Sequence, residues 1–248
     1  MYSQRLAFWL VLSFVLSFVS SPNIAVAGPY VSCVDGNPYH SSAVTQQGED
    51  CILASDINAK LAFFENSNLA SEAHEWLIDQ LVALGHYEDN RDVGGIVESS
   101  WIFEYFYYDL MILNQELLSI YAPGRSFSIE IGGVSPEDPE LDTLWWRKGG
   151  CEWLKKRIKK GGQAMLFIRN PDSGAHATSI VNITCKPGRI EVRDGNQPNV
   201  TFTFTVTEGG KIQATGSTLA SGADSALVDY YHGSTVIGGY AITPTSSP

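Results

Sequence analysis

Apolar positions recur at helical spacing in the first half of the chain and at strand spacing in the second. Leu53, Ile57, Leu61 and Phe64 are spaced by four, four and three, which predicts a helix opening at Cys51. Asp50 stands where a carboxylate can accept from the free N–H groups of its first turn. A second helix is predicted over 71–84, with Leu77, Leu81 and Leu84 on one face, His74 toward solvent and Gly85 as its stop. After Gly94-Gly95, residues 98–120 carry one or two aromatic-rich helices. Tyr105, Tyr107 and Tyr108 cannot all face inward there, so core is expected for most of them and a groove or solvent for the rest. Residues 122–141 contain Pro123, Gly124, Gly132, Gly133, Pro136 and Pro139, and they read as a loop.

The pattern then shortens. A helix over 151–160 turns Leu154 and Ile158 inward, keeps most of its basic residues outward and ends at Gly161-Gly162. Strands follow at 163–169, 176–184, 189–193, 201–207, 211–215 and 234–243. They are separated by turn signals at Asn170-Pro171, Lys186-Pro187-Gly188, Asp194-Gly195-Asn196 and Glu208-Gly209-Gly210. The fold class expected is α+β: a helical lobe over about 50–121, a connecting loop over about 122–145 and an antiparallel β lobe over about 150–243.

Before residue 28 the pattern is of another kind. Arg5 gives a basic start, Leu6 to Val19 is largely apolar, and Ala25-Val26-Ala27 is a cleavage signal, so residues 1–27 read as a signal peptide and 28–248 as a single domain. A secreted or periplasmic protein is expected. The apolar run over 101–118 is broken by Glu104, Asp109, Asn114 and Glu116, so no membrane span is predicted. The net charge of -11 opposes nucleic acid and anionic membrane as partners.

Four cysteines, Cys33, Cys51, Cys151 and Cys185, follow the predicted cleavage site. In an oxidising compartment they permit two disulfides, with Cys33 the nearest partner for Cys51. If Cys51 is instead a working thiol, one bridge at most can form. A cysteine at a helix N-terminus favours that reading, because the unpaired N–H groups stabilise thiolate over thiol. It still needs a base, and His176 stands 125 residues downstream at the start of a strand, with Asp194 a further 18 on. If the strands at 176 and 189 are neighbours, Asp194 can take the second ring nitrogen of His176 and fix its tautomer.

The run Glu49-Asp50-Cys51 entering a helix, the segment Gly174-Ala175-His176-Ala177-Thr178-Ser179-Ile180-Val181 and the segment Gly188-Arg189-Ile190-Glu191-Val192-Arg193-Asp194-Gly195-Asn196 resemble the papain-like cysteine peptidases. Within them the chain is most similar to the double-glycine leader peptidase group and its secreted relatives. The resemblance implies Cys51 as nucleophile, His176 as general base and acid, and Asp194 as the orienting residue, with Asn196 an alternative third member. It also implies a glutamine that donates to the oxyanion together with the cysteine N–H. That glutamine usually stands six residues before the cysteine; here the position is Thr45, and Gln46 and Gln47 are the candidates.

The expected activity is cleavage of a peptide or isopeptide bond in a peptide or protein substrate through a thioester, without a cofactor. Two other readings remain open: a disulfide-stabilised binding module that keeps the fold without the chemistry, and a transglutaminase- or amidase-like acyl transferase. No metal site is expected. His40, His74, His86 and His232 show no ligand spacing, and the acidic cluster Glu137, Asp138, Glu140, Asp142 lacks a calcium-loop pattern.

Overall fold

The computed structural model describes residues 51–87, 102–133, 144–171, 174–214 and 225–245, all within the compact unit Tyr30–Ser246. The side chains of Cys51, of residues 102–105 and of Gly174 and Ala175 are outside that description. The predicted signal segment, Cys33, Gln46, Gln47, Asp50 and the acidic cluster at 137–142 also lie outside the described residues.

The first helix, α1 (Cys51–Lys60), is covered on nearly every side: Leu53, Ala54, Ser55, Asp56, Ile57 and Lys60 are all fully buried. A helix buried all round lies inside a protein rather than on its surface. Its polar residues must therefore find partners from distant segments. A short turn (Ser67–Leu69), capped by the Asn66 side chain on the Asn68 N–H, leads into α2 (Ala70–Ala83). The chain then returns in α3 (Ile102–Tyr121).

On α2, Ala70, Ala73, His74, Leu77, Ile78 and Leu81 form the buried stripe. This corrects two expectations: His74 is 1 % exposed, and Leu84, at the helix end, is exposed. Positions 70, 73/74, 77/78 and 81 recur every three or four residues, so His74 shares the face of Leu77 and Leu81. Gly85 follows at φ 76°, the left-handed conformation that stops a helix. On α3, Tyr107 packs against the core with its ring 5.6 Å from Phe167, while Tyr108 is exposed.

Among the described residues, seven strands form one antiparallel sheet in the order β1-β7-β2-β3-β4-β5-β6. They are β1 (Phe127–Gly132), β2 (Gln163–Asn170), β3 (Gly174–Cys185), β4 (Gly188–Asp194), β5 (Gln197–Val206), β6 (Ile212–Gln213) and β7 (Thr235–Pro244). The class is α+β. The segment read as a loop contains β1, which is paired with the end of the chain, Ile129 opposite Ile242. Its alternating Phe127, Ile129 and Ile131 are short and flanked by Pro and Gly, so the breakers hid a six-residue edge strand.

Alternation along β2 splits the interior in two. Met165 and Phe167 join α1, α2 and α3 in one cluster, with Ala177, Tyr240 and Ile242 beside them. Ala164, Leu166 and Ile168 face the other way, into a second cluster with Trp146, Leu154, Ile180, Val192, Phe202 and Phe204. Helices and sheet therefore share a core on one face. The second face is closed by α4 (Cys151–Ile158) and α5 (Ser225–Tyr231).

A disulfide joins Cys151, at the start of α4, to Cys185, at the end of β3, across 34 residues. Closing a loop of that length restricts the unfolded chain by about 3–4 kcal/mol in the chain-entropy account. Replacing both cysteines by serine is expected to lower the denaturation midpoint without changing the circular-dichroism spectrum. A midpoint equal to wild type would mean that the bridge adds nothing. Among the described residues no helix is long and apolar enough to cross a membrane.

Candidate functional site

β3 and β4 are neighbours, with Ser179 opposite Arg193 and Ile180 opposite Val192. That register brings His176, near the start of β3, to Asp194, at the end of β4. His176 Nε2 lies 2.6 Å from Asp194 Oδ2. Asp194 is fully buried, whereas the imidazole is 10 % exposed, so the acid sits behind the ring and the ring reaches the surface.

Asp194 closes its strand before the two-residue turn Gly195-Asn196, because its register partner is Gln197 on β5. The turn folds Asn196 back onto the carboxylate: its backbone N–H donates to Oδ1 at 2.8 Å and its amide Nδ2 donates to the same oxygen at 3.0 Å. Asn196 therefore supports the acid, and the bond to the imidazole comes from Asp194. On the other oxygen, the Tyr231 hydroxyl donates to Oδ2 beside His176. Two donors on each oxygen satisfy a carboxylate that has lost its water.

Burial alone pushes the Asp194 pKa up, but the hydrogen bond and charge of His176, with the Tyr231 and Asn196 donors, outweigh it and hold the carboxyl below the ordinary value. Asp194 is thus ionised at neutral pH, and Nε2 of His176 carries the proton between them. Nδ1 is then the basic nitrogen of the ring. Burial, followed by the neighbouring Asp194 charge, raises the Tyr231 phenol well above its usual range, so Tyr231 remains a donor.

Tyr231 belongs to α5, which the hydrophobic pattern did not announce. Val228 and Tyr231, three apart, are its buried residues in a helix of only seven. The Tyr231 ring stacks on Phe204 at 4.4 Å, and Tyr230 meets the His176 ring edge-on at 5.5 Å. The signal available in sequence was the spacing of Val228 and Tyr231 before Gly233, too short to distinguish from a turn.

α1 approaches the same strand. The Ser55 hydroxyl donates to the carbonyl of Ala177 at 2.9 Å, and the Ser179 hydroxyl donates to the carbonyl of Ser55 at 2.7 Å. Ser55 is one helical turn beyond Cys51, and Ala177 is the residue after His176. The N-terminal turn of α1 is thereby tied to the His176 end of β3. Cys51 is the first residue of that helix. The sulfur position and the oxyanion candidates Gln46 and Gln47 lie outside the described residues, as does the predicted Asp50 cap.

Replacing Tyr231 by phenylalanine keeps the stack on Phe204 and removes one donor from Asp194. The sign follows from linkage: a carboxyl with a depressed folded pKa adds stability above its unfolded pKa, about 3.9, and loses it as pH falls through the folded value. With a donor gone the folded pKa rises, so the acid-unfolding midpoint of Tyr231→Phe is expected at higher pH. At pH 7 the cost is about 1.5–3 kcal/mol, the range for a hydrogen bond to a charged group. Urea titrations at pH 3 to 7 check this, and an unchanged acid midpoint would mean that the phenol does not stabilise the carboxylate.

Among the described residues no group of three or more His, Cys, Asp or Glu side chains is placed to hold a metal ion. A cleft of about 220 Å³ lies between Gln115, Leu118, Ser119, Arg125, Ser126 and Phe127, and neither His176 nor Asp194 lines it. No family model and no curated protein matches this chain.

Proposed function

We propose that this protein is a secreted papain-like thiol peptidase in which Cys51 is the nucleophile, His176 the base and acid, and Asp194 the residue that orients the ring. The observation that carries the reading is the buried, fourfold-satisfied Asp194 held on His176 Nε2, on the strand to which the Cys51 helix is fastened one turn on. An ionised carboxylate behind an imidazole has two effects. It selects the tautomer with Nδ1 basic, and it stabilises the imidazolium formed when the thiol gives up its proton.

In the proposed reaction Nδ1 accepts the Cys51 proton, aided by the positive end of α1. The thiolate adds to the scissile carbonyl, and the oxyanion is met by the Cys51 N–H and by Gln46 or Gln47. The imidazolium then protonates the leaving amine, and water activated by His176 resolves the thioester. No step calls for a cofactor.

Incubating the full chain with an unfolded protein such as reduced casein tests the reading. Peptide fragments are expected with wild type and none with Cys51→Ala of equal melting temperature; equal cleavage by both would remove Cys51 from the chemistry. Adding a primary amine separates hydrolysis from acyl transfer, since amine-capped products instead of free carboxylates would favour a transglutaminase-like enzyme.

One observation supports a second reading. With Cys151 and Cys185 joined, Cys33 and Cys51 are the two cysteines that remain, the number a second disulfide requires. A Cys33–Cys51 bridge would make the protein a binding module built on the same fold.

A further inference from the structure

Behind the candidate site, α1, α3 and β7 enclose four polar residues in the apolar core. Asp56, Lys60, Asn114 and Tyr240 are each 0 % exposed. Lys60 Nζ lies 2.5 Å from Asp56 Oδ2, one turn back on the same helix. It also meets the amide oxygen of Asn114, 54 residues away on α3. The amide nitrogen of Asn114 donates to the Tyr240 hydroxyl at 2.7 Å, which fixes the amide with its carbonyl toward Nζ. An amine, a carboxamide and a carboxyl group thus meet fully buried, on helices whose Leu53, Ile57, Leu110, Leu113 and Leu117 belong to the apolar core.

We propose that Lys60 and Asn114 form an intramolecular isopeptide cross-link, with Asp56 as the proton carrier. Lys60 passes a proton to Asp56 and becomes the neutral amine. Nζ then forms a bond to Asn114 Cγ while the Cγ–Nδ2 bond breaks. One hydrogen of Nζ reaches Nδ2 through the Asp56 carboxyl, and ammonia departs. Nothing is oxidised or reduced, and no co-reactant enters.

Each requirement is met by the site. Holding nucleophile and carbonyl in contact replaces a bimolecular encounter, which is how intramolecular reactions gain their rate. Burial lowers the Lys60 pKa and raises that of Asp56, so both shift toward the uncharged forms that the reaction uses. A desolvated lysine is a nucleophile, whereas an exposed ammonium is not. The product also removes a buried charge pair, whose desolvation is costly. The bond joins the helix that begins with Cys51 to α3, whether or not Cys51 is a nucleophile.

The intact mass of the purified, reduced full chain tests the proposal. The expected value is one ammonia below the mass of the sequence from its measured first residue. Proteolysis should then release a branched peptide joining the Lys60 and Asn114 segments, uncleaved by trypsin after Lys60. Asp56→Ala is expected at full mass with separate peptides, but wild type alone decides the matter. Folded wild-type protein at full mass, with Lys60 open to trypsin after denaturation, would overturn the cross-link and leave a buried ion pair hydrogen-bonded to an amide.

Discussion

Alanine in place of His176 is expected to lower kcat/KM on a peptide substrate by roughly 10²–10⁴-fold, the range that a positioned general base and acid contributes. The fold should survive, because the ring is partly open to solvent and Asp194 keeps its bonds from Tyr231 and Asn196. The loss of one hydrogen bond to a charged group costs about 1.5–3 kcal/mol, a moderate shift in a melting curve. The two readouts therefore separate: activity falls by orders of magnitude while the protein stays folded. Equal kcat/KM in His176→Ala and wild type would assign the histidine a structural role. Raising the pH should restore part of the rate if the lost function is thiol deprotonation, since hydroxide ionises the thiol without a base.

The second large effect is expected at Asp194, where both readouts move together. Asp194→Ala strands the Tyr231 hydroxyl and the His176 Nε2–H beside a cavity with no acceptor, whereas the exposed Asn196 can turn its two donors to water. Unmet buried donors cost about 1–3 kcal/mol each, with water entry and relaxation offsetting part, so a net loss of about 2–4 kcal/mol is expected in urea denaturation at pH 7. Activity should fall as well, because neither tautomer nor imidazolium is held. Asp194→Asn is intermediate: an amide oxygen still accepts from Nε2, but the amide nitrogen then faces the donors of Asn196, and no charge opposes the imidazolium. The destabilisation of Asp194→Ala should shrink as pH falls through the folded pKa of the wild-type carboxyl, since wild type loses the same interaction there. A pH-independent difference between the two proteins would mean that the Asp194 charge contributes nothing.

The strands β2 to β5 were legible in sequence because each alternates or forms a compact apolar run between Gly, Pro, Asn and Asp turns. The turn at Lys186-Pro187 made β3 and β4 neighbours, and from that adjacency the His176–Asp194 pair could be anticipated. The first helix was legible from Leu53, Ile57 and Leu61, yet its near-total burial was not. Ser55, Asp56 and Lys60 look like a solvent face in one dimension, and only the long-range partners Ala177, Ser179 and Asn114 explain why they lie inside. His74 was misplaced for the same reason: a polar residue on an apolar stripe reads as exposed unless a buried charge such as Asp56 lies across from it. β1 and α5 escaped because short elements beside Pro and Gly carry too few periods to register. With α5 went Tyr231, the donor that shares Oδ2 of Asp194 with His176.

Whether Cys51 is a thiolate paired with His176 can be read from its reactivity toward an alkylating reagent. Protein purified without reductant, treated with iodoacetamide from pH 4 to 9 and mapped by mass spectrometry, reports each cysteine separately. Cys51 is expected to be alkylated well below pH 7, far from the free-thiol pKa of about 8.5. This low-pH reactivity is expected to disappear in His176→Ala. Cys51 recovered in a disulfide with Cys33, or titrating as an ordinary thiol whether or not His176 is present, would contradict the pairing.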